Sequence, residues 1–304
     1  MIQPNQVQEH YTFQEMLVRI NNALTQAGLG PGQIEWSKLA LLDQFHVRGL
    51  PATRELAEGL GLKGGESVLD VGSGLGGPAR YLAAVYGCHV TGLELTPLFV
   101  EIANHLSLKT GLADRLNFVQ GDALDLPFPA ESFEHVWTQH VAMNIQGKER
   151  MYKGIHRVLK KGGRFAIYDV VKGENEPLIY PVPWAREASI SFLASPSEMV
   201  KALRAAGFEE VSSVDTTELA LSWFGELQKA QQAPSGVNPL NLGSVIGPRI
   251  AANDGEPRPK YQGRSRSAHA GHCAKGLGVM EEYCRFPGFA MASMVIPFRS
   301  LTIL

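Results

Sequence analysis

The sequence predicts an α/β protein with a doubly wound, mostly parallel sheet. Short apolar segments alternate with amphipathic helical segments from Ser67 onward, and a glycine-rich turn follows the first of these segments. Alternation of this kind is typical of parallel βαβ units with helices on both faces of one sheet. The 304 residues, of which 44% are hydrophobic, suffice for one large domain or two small ones.

Residues 1–65 are expected to form an N-terminal helical cap. Apolar residues recur at helical spacing in residues 13–24 and again in residues 36–45. A third helix should begin after Pro51 and end near Gly61, since glycine is common just past a helix end.

Residues 66–250 are expected to form the sheet domain. Strands are predicted at 67–71, 89–93, 116–119, 135–138, 164–170 and 209–215, and helices at 78–86, 97–110, 148–159 and 196–206. The segment 173–195 interrupts the alternation with three prolines, which favours a lid or binding loop. Residues 251–304 lose the alternation and form an atypical tail.

Composition excludes several function classes. The formal net charge of -2 gives no long-range field that would favour nucleic acid or a membrane surface, so neither is expected as a partner. The N-terminus lacks the pattern of a secretory signal, and three scattered cysteines cannot form a disulfide framework. We therefore expect a cytoplasmic protein, and since no metal-binding motif occurs, no metal site. The oligomeric state is not predictable.

The glycine turn predicts a nucleotide-like ligand. Gly72, Gly74 and Gly77 follow an apolar strand and satisfy G-x-G-x-x-G, and Pro78 suits the first position of the next helix. Glycines let a ligand approach a helix N-terminus closely. The motif alone leaves a dinucleotide such as NAD open.

Two carboxylates decide between the ligands. Asp70 stands two residues before the first glycine, where it would repel a pyrophosphate but would attract an ammonium and a sulfonium. Glu94, followed by Leu95, ends the next strand, where an acid accepts hydrogen bonds from ribose hydroxyls. Asp122 and Ala123 follow the third strand, where they suit an adenine amino group and its ring. Together they favour S-adenosylmethionine.

At these residues the sequence resembles the class I methyltransferases of the type 11, small-molecule branch. The similar stretches are residues 70–80, 137–145 and 157–163. The resemblance implies a seven-stranded Rossmann-like sheet and similarity to sarcosine, dimethylglycine and quinone-ring methyltransferases. The residues predicted to bind S-adenosylmethionine are Gln44, Asp70, Gly72, Ser73, Gly74, Glu94, Leu95, Asp122, Ala123, Gln139 and His140.

The predicted function is methyl transfer to a small-molecule acceptor, with an amine nitrogen of a glycine derivative as the first choice. The candidate catalytic bases are His140, Tyr168 and His46, which the cap and two strand ends direct toward the cleft. Trp184 in the lid is a candidate for the acceptor pocket. The alternatives are carbon methylation of a quinone precursor, an NAD-dependent oxidoreductase, and a non-catalytic cofactor-binding protein.

The tail allows two interpretations. In one, residues from about Ala251 are a frame-shifted reading of the usual ending of the family, and they should be poorly ordered and touch the core little. In the other, residues 288–298 form a genuine strand that fills the last position of the sheet.

Overall fold

A computed structural model describes residues 4–30, 32–173, 178, 180, 182–232, 240 and 289–297. The helices are α1 (Pro4–Gln26), α2 (Ala40–Asp43), α3 (Gly49–Leu60), α4 (Gly77–Tyr86), α5 (Pro97–Lys109), α6 (Lys148–Val158), α7 (Pro196–Ala205) and α8 (Thr217–Gln232). The strands are β1 (Ser67–Val71), β2 (His89–Glu94), β3 (Leu116–Gln120), β4 (Phe133–Gln139), β5 (Leu159–Lys172), β6 (Ser212–Asp215) and β7 (Phe289–Pro297). Short 3-10 helices lie at Trp36–Leu39, Ala113–Arg115, Ala142–Asn144 and Ala188–Ile190.

The strands form one seven-stranded sheet in the order β3-β2-β1-β4-β5-β7-β6. The first five strands along the chain pair in parallel. The strand β7 lies between β5 and β6 and runs antiparallel to both. The predicted doubly wound, mostly parallel sheet is therefore confirmed, and its strand order reverses beside β1, where ligands bind in such sheets.

Helices cover both faces of the sheet, because the parallel strands are apolar on each side. On one face, Val68 and Tyr168 belong to a buried cluster that includes residues of α3, α4 and α8. On the other face, Leu69 and Ile167 pack with α6 and α7. Successive strand residues point to opposite faces, so neighbours such as Val68 and Leu69 enter different layers.

The cap is held by its own apolar cluster. Ile20 and Leu24 of α1 are buried with Leu39 and Leu42, and this cluster includes Ile102 and Leu106 of α5. The expected cap is thus helical and packs on the sheet domain. The third cap helix begins at Gly49 and not after Pro51 as expected, and Arg48 precedes it in a left-handed conformation.

Three elements of the sheet domain differ from the sequence expectations. The strand β5 begins at Leu159, directly after α6, and Leu159 pairs with Phe133 before a register shift. The strand β6, at Ser212–Asp215, is shorter than the expected 209–215, and the helix α8 follows it. The long β5 supplies the edge on which β7 pairs.

Residues 289–297 of the tail are part of the sheet. Their register runs from Arg164 opposite Pro297 to Lys172 opposite Phe289. These nine residues therefore correspond to the genuine strand rather than to a tail that avoids the core. Residues 251–288 and 298–304 lie outside the described residues, and the frame-shift interpretation stays a prediction. Within the described part of the chain, no helix is long and apolar enough to cross a bilayer.

Candidate active site

A cavity of about 370 Å³ opens at the carboxyl ends of β1 and β4, between the cap, the glycine loop and the lid. Its lining residues come from these three elements, from the loop after β4 and from α5: Asp43, Phe45, His46, Asp70, Gly72, Ser73, Gly74, Pro78, Phe99, Gln139, His140, Met143, Asn144, Pro183 and Trp184. Six of the eleven predicted cofactor-binding residues line it, and the cap and the lid close two of its sides.

The glycine loop after β1 is built so that backbone, not side chain, faces the cavity. Gly72 has φ 76° and Gly74 has φ 54°, both in the left-handed region that favours glycine. A Cβ on Gly72 would lie 2.4 Å from Val141 Cγ2. The loop leads into α4, which carries Pro in its first turn as expected. This geometry forms a cradle that a nucleotide-like ligand can approach closely.

Asp70 is the charged group at the floor of this cradle. Its side chain is 2% exposed, and its Oδ2 atom is inaccessible and has no hydrogen-bond partner. Burial is the main cause that raises the pKa of Asp70 from 3.8 to about 7; the Trp137 indole opposes this rise, and the Glu94 carboxylate adds to it slightly. A buried carboxylate oxygen without a partner is costly, and a cationic ligand would offset that cost. The ammonium or sulfonium of S-adenosylmethionine fits this requirement.

Glu94 supports the loop from the end of β2. Its Oε2 accepts a hydrogen bond from the Gly74 amide at 3.0 Å, and its Oε1 accepts one from the Thr96 amide at 2.9 Å. Each carboxylate oxygen retains a second lone pair for a ribose hydroxyl. Glu94 therefore fixes the loop, although it does not itself line the cavity.

The other predicted contacts at β2 and β3 lie at the expected strand ends but do not border the cavity. Asp122 is exposed, and its Oδ1 accepts a hydrogen bond from the Leu124 amide at 2.8 Å. Leu95 is 67% exposed, and Ala123 is partly buried. Their contacts to an adenine stay a prediction.

A buried polar cluster joins the cap to the end of β4. Thr53 Oγ1 donates to Gln44 Oε1 at 2.7 Å and lies 3.0 Å from His46 Nε2. Gln139 Nε2 lies 3.2 Å from the same histidine nitrogen. The Gly49 carbonyl lies 2.9 Å from His46 Nε2 and can only accept, so that bond requires the proton on Nε2 and leaves Nδ1 as the acceptor nitrogen. Gln44 itself does not border the cavity.

His140 borders the cavity directly after β4. It has φ 57°, a conformation that is uncommon for a non-glycine residue, and its amide donates to the Tyr168 carbonyl at 2.8 Å. Its Nε2 atom is inaccessible and has no hydrogen-bond partner. Its ring stacks on Tyr168 at a centroid distance of 5.5 Å and lies 5.9 Å from the His46 ring. The three predicted bases therefore form one aromatic group.

The protonation states of these three side chains follow from their burial. Burial lowers the pKa of His46 to about 4, against the opposing effect of the Gly49 carbonyl. Burial, with a smaller contribution from His46, lowers the pKa of His140 well below its usual value. Burial raises the pKa of Tyr168 to about 12. At neutral pH both imidazoles are neutral and able to accept a proton, whereas the phenol keeps its own.

Asp169 positions the loop that carries His140. Its Oδ2 accepts hydrogen bonds from the amides of Ala142 at 2.6 Å and Val141 at 3.3 Å. The Asp169 carboxylate is turned toward the backbone of this loop and does not line the cavity. Asp169 is fully buried, and it therefore acts as a support for the loop.

The lid is anchored to the same loop. Asn144 Nδ2 donates to the carbonyls of Trp184 at 2.8 Å and Ile190 at 3.2 Å. The Trp184 indole donates to Ser191 Oγ at 3.0 Å, and the Trp184 side chain borders the cavity as expected. A short antiparallel bridge joins Val182 to Ala185. Residues 174–177, 179 and 181 of the predicted lid lie outside the described residues.

Sequence reasoning missed a buried ion pair between the cap and α4. Asp43 borders the cavity, and its Oδ2 lies 2.8 Å from Arg80 Nη2. Burial raises the pKa of Asp43 to about 6, although Arg80 works in the opposite direction. The signal was an arginine on an otherwise apolar helix. Among the described residues, no group of three or more histidine, cysteine or acidic side chains is placed to hold a metal ion.

Comparison with known proteins agrees with this geometry. Residues 69–167, which run from β1 into β5, match the family described as "Methyltransferase domain". A sterol 24-C-methyltransferase of Gibberella zeae is 35% identical over 188 residues, which are 58% of this chain and 49% of that protein. The chain spans about half the length of the curated relatives it matches.

Solved structures share the fold. The [4+2]-cyclase SpnF has a TM-score of 0.60 and 23% identity, over 97% of this chain and 95% of that chain. A putative sarcosine dimethylglycine methyltransferase from Galdieria sulphuraria has a TM-score of 0.59 and 18% identity, over 82% of this chain and 86% of that chain. Because identities this low show only a common fold, these neighbours do not identify a substrate.

The comparisons correct one expectation and favour one alternative. The curated relatives are named for transfer to carbon, so the amine nitrogen expected from the sequence is not supported. The family match favours methyl transfer over the NAD-dependent oxidoreductase. Residues 69–167 thus match a methyltransferase domain, in agreement with the S-adenosylmethionine-dependent methyl transfer expected from the sequence.

Proposed function

We propose that this protein transfers a methyl group from S-adenosylmethionine to a carbon atom of an uncharged small molecule. The observation that carries the proposal is the Asp70 carboxylate, which is buried at the floor of the glycine cradle with one oxygen unpartnered. A ligand that brings a positive charge to that oxygen stabilises it, whereas a pyrophosphate would be repelled. When bound, S-adenosylmethionine supplies an activated methyl group on sulfur.

The residues of the cradle have distinct roles in holding the cofactor. Asp70 pairs with its cationic end, and Glu94 accepts from its ribose while keeping the Gly74 amide in place. His46 and Gln139 line the cavity, where their hydrogen-bond donors suit the carboxylate of the methionine moiety, and Gln44 belongs to the same polar cluster through Thr53.

The chemistry of the cavity wall supports an uncharged acceptor. Asp43 and Asp70 are its ionisable carboxylates, and Asp43 is paired with Arg80. Among the described residues, neither lysine nor arginine lines the cavity. A glycine derivative or a phosphorylated acceptor would bring an anionic group into this wall without a cationic partner, and burying such a charge is costly. Phe45, Met143 and Trp184 instead offer apolar contact.

Transfer to carbon needs a group that removes a proton from the acceptor. Methyl transfer is an in-line displacement, so the protein contributes chiefly by aligning acceptor, methyl group and sulfur in a closed cleft. His140 and His46 are neutral imidazoles beside the cavity and can take the proton. Tyr168 holds its own proton and serves better as the ring on which His140 stacks.

Methyl transfer from labelled S-adenosylmethionine to a panel of acceptors tests the proposal. The panel contains an olefinic sterol, a quinone precursor, a phenol, sarcosine and phosphoethanolamine. We expect transfer to one of the uncharged acceptors, with the label on carbon, and none to the two charged amines. The Asp70→Asn variant should lose transfer, while Asp114→Asn, on a short 3-10 helix where the side chain is exposed, should keep it. Faster methylation of sarcosine would refute the uncharged acceptor, and a macromolecular acceptor would refute the small-molecule assignment.

Localisation in the cytoplasm and the absence of nucleic-acid and membrane partners remain proposals that rest on composition alone.

A further inference from the structure

The strongest unexplained feature outside the cofactor cradle is the buried ion pair of Asp43 and Arg80. Their side chains are 3% and 1% exposed. Asp43 ends α2 in the cap, and Arg80 lies on α4, the helix that follows the glycine loop. The pair is therefore a direct electrostatic link between the cap and the element that binds the cofactor.

The Arg80 guanidinium also contacts the loop and α5. Its Nη2 donates to the Leu75 carbonyl inside the glycine loop, and its Nη1 lies 3.3 Å from the Ala103 carbonyl and 3.4 Å from Ser107 Oγ. The planar fork of arginine allows several such bonds from fixed positions, which the single ammonium of lysine does not. A change in the loop therefore reaches Asp43 through one rigid side chain.

The cap packs closely against the start of α4. A Cβ on Gly77 would lie 2.4 Å from the Asp43 carbonyl oxygen and 2.6 Å from Asp43 Oδ1. The cap backbone thus rests on the first turn of α4, where the helix dipole favours a carboxylate. Asp43 also borders the cavity whose floor is Asp70.

We infer that Arg80 is a positioning residue that couples occupation of the glycine loop to docking of the cap, through its ion pair with Asp43. The inference rests on the proposed function, because the loop must bind the cofactor for the coupling to operate. A ligand that orders the loop fixes the Leu75 carbonyl and hence the guanidinium, and the guanidinium holds Asp43 and α2 against α4. By reciprocity, a docked cap strengthens cofactor binding.

The test combines calorimetric titration with S-adenosylhomocysteine and hydrogen–deuterium exchange of residues 36–60. The variants are Asp43→Asn, which leaves the shape but removes the charge, and Arg80→Lys, which keeps the charge but removes the fork. Glu55→Gln is the matched control, since Glu55 pairs with Arg48 inside the cap and does not touch the glycine loop. All are used as full-length protein, and their thermal midpoints without ligand are measured in parallel.

In the unaltered protein and in Glu55→Gln, S-adenosylhomocysteine should slow exchange in residues 36–60. In Asp43→Asn that ligand-dependent slowing should disappear, and binding should weaken by about 5- to 150-fold, with Arg80→Lys intermediate. A variant that only lowers the thermal midpoint, with binding and ligand-dependent protection intact, would show that the pair is merely structural and overturn the inference. Failure of the unaltered protein to bind S-adenosylhomocysteine would overturn the proposed function, and the inference with it.

Discussion

Replacing Asp70 by asparagine is expected to stabilise the ligand-free protein and to weaken cofactor binding. A carboxyl whose pKa is raised by burial from 3.8 to about 7 is desolvated at a cost of about 4 kcal/mol once it is ionised. Asparagine has nearly the same shape without the charge, but a buried unpaired amide costs about 1–3 kcal/mol. The net gain in the free energy of unfolding is therefore about 1–3 kcal/mol at pH 8.

The stabilisation should depend on pH in a definite direction. The folded-state pKa of Asp70 is raised, so its unfavourable contribution is absent below the unfolded value of 3.8 and grows as pH rises to about 7. The difference in thermal midpoint between Asp70→Asn and the unaltered protein should thus be largest at pH 8 and shrink toward pH 5.

Cofactor binding should change in the opposite direction. Loss of a charge-assisted hydrogen bond to the ligand costs about 1.5–3 kcal/mol, or roughly ten- to a hundredfold in Kd. In the unaltered protein, affinity should also fall between pH 8 and pH 6, because protonation of Asp70 removes its charge. The asparagine variant should lack this pH dependence.

Calorimetry and thermal unfolding at pH 5, 6, 7 and 8 measure both effects, with Asp114→Asn as the exposed control. The reasoning is refuted if Asp70→Asn unfolds at a lower temperature and binds S-adenosylhomocysteine as tightly as the unaltered protein. That result would mean that Asp70 is satisfied by the fold and does not await a cationic ligand.

Three further predictions concern the loop, the base and the lid. Gly72→Ala should destabilise the protein by about 1–3 kcal/mol more than Gly65→Ala in chemical unfolding. Both glycines have positive φ, but only at Gly72 would the added Cβ lie within 4 Å of another side chain. Equal losses of stability would contradict this. His140→Asn, with a residue that tolerates the left-handed backbone, should lower kcat by about 10²- to 10⁴-fold while Kd for S-adenosylhomocysteine changes little, and unchanged turnover would exclude His140 as the base. Asn144→Ala removes the hydrogen bonds to the carbonyls of Trp184 and Ile190 in the lid and should raise KM for the acceptor about 3- to 30-fold. An effect confined to cofactor affinity would instead mean that the lid binds the cofactor.

Local sequence patterns were enough to predict the elements around the cradle. The strand β1 was predicted with its observed bounds, Ser67–Val71, and β2 begins at His89 as expected. Strand periodicity and glycine turns depend on residues that are close in sequence, so they can be identified without knowledge of the fold. The same reason explains why Asp70 and Glu94 were found, since each stands at the end of a strand in a parallel sheet.

Contacts between distant residues were decided only by the tertiary structure. The ion pair of Asp43 and Arg80 joins residues 37 positions apart, and the cluster of His46 and Gln139 joins residues 93 positions apart. Nothing in either local sequence specifies the partner, because the packing of the cap on the sheet brings them together. The neutral state of both histidines at the cavity also depends on burial, which the sequence does not reveal.

The strand β7 shows most clearly which features the local sequence predicts and which only the tertiary structure decides. The apolar composition of residues 288–298 made a strand one of two interpretations, but its place between β5 and β6 could not be read from the chain. It pairs with residues 164–172 of β5, and this edge runs two residues beyond the expected end of that strand. The sequence by itself determined the βαβ units, the glycine cradle and its two carboxylates, since these depend on short-range order. Long-range packing decided the strand order, the hydrogen bonds that anchor the lid, and the link between cap and loop. Their hydrogen-bond partners and buried charges come from segments that are far apart in sequence and come into contact only in the folded protein.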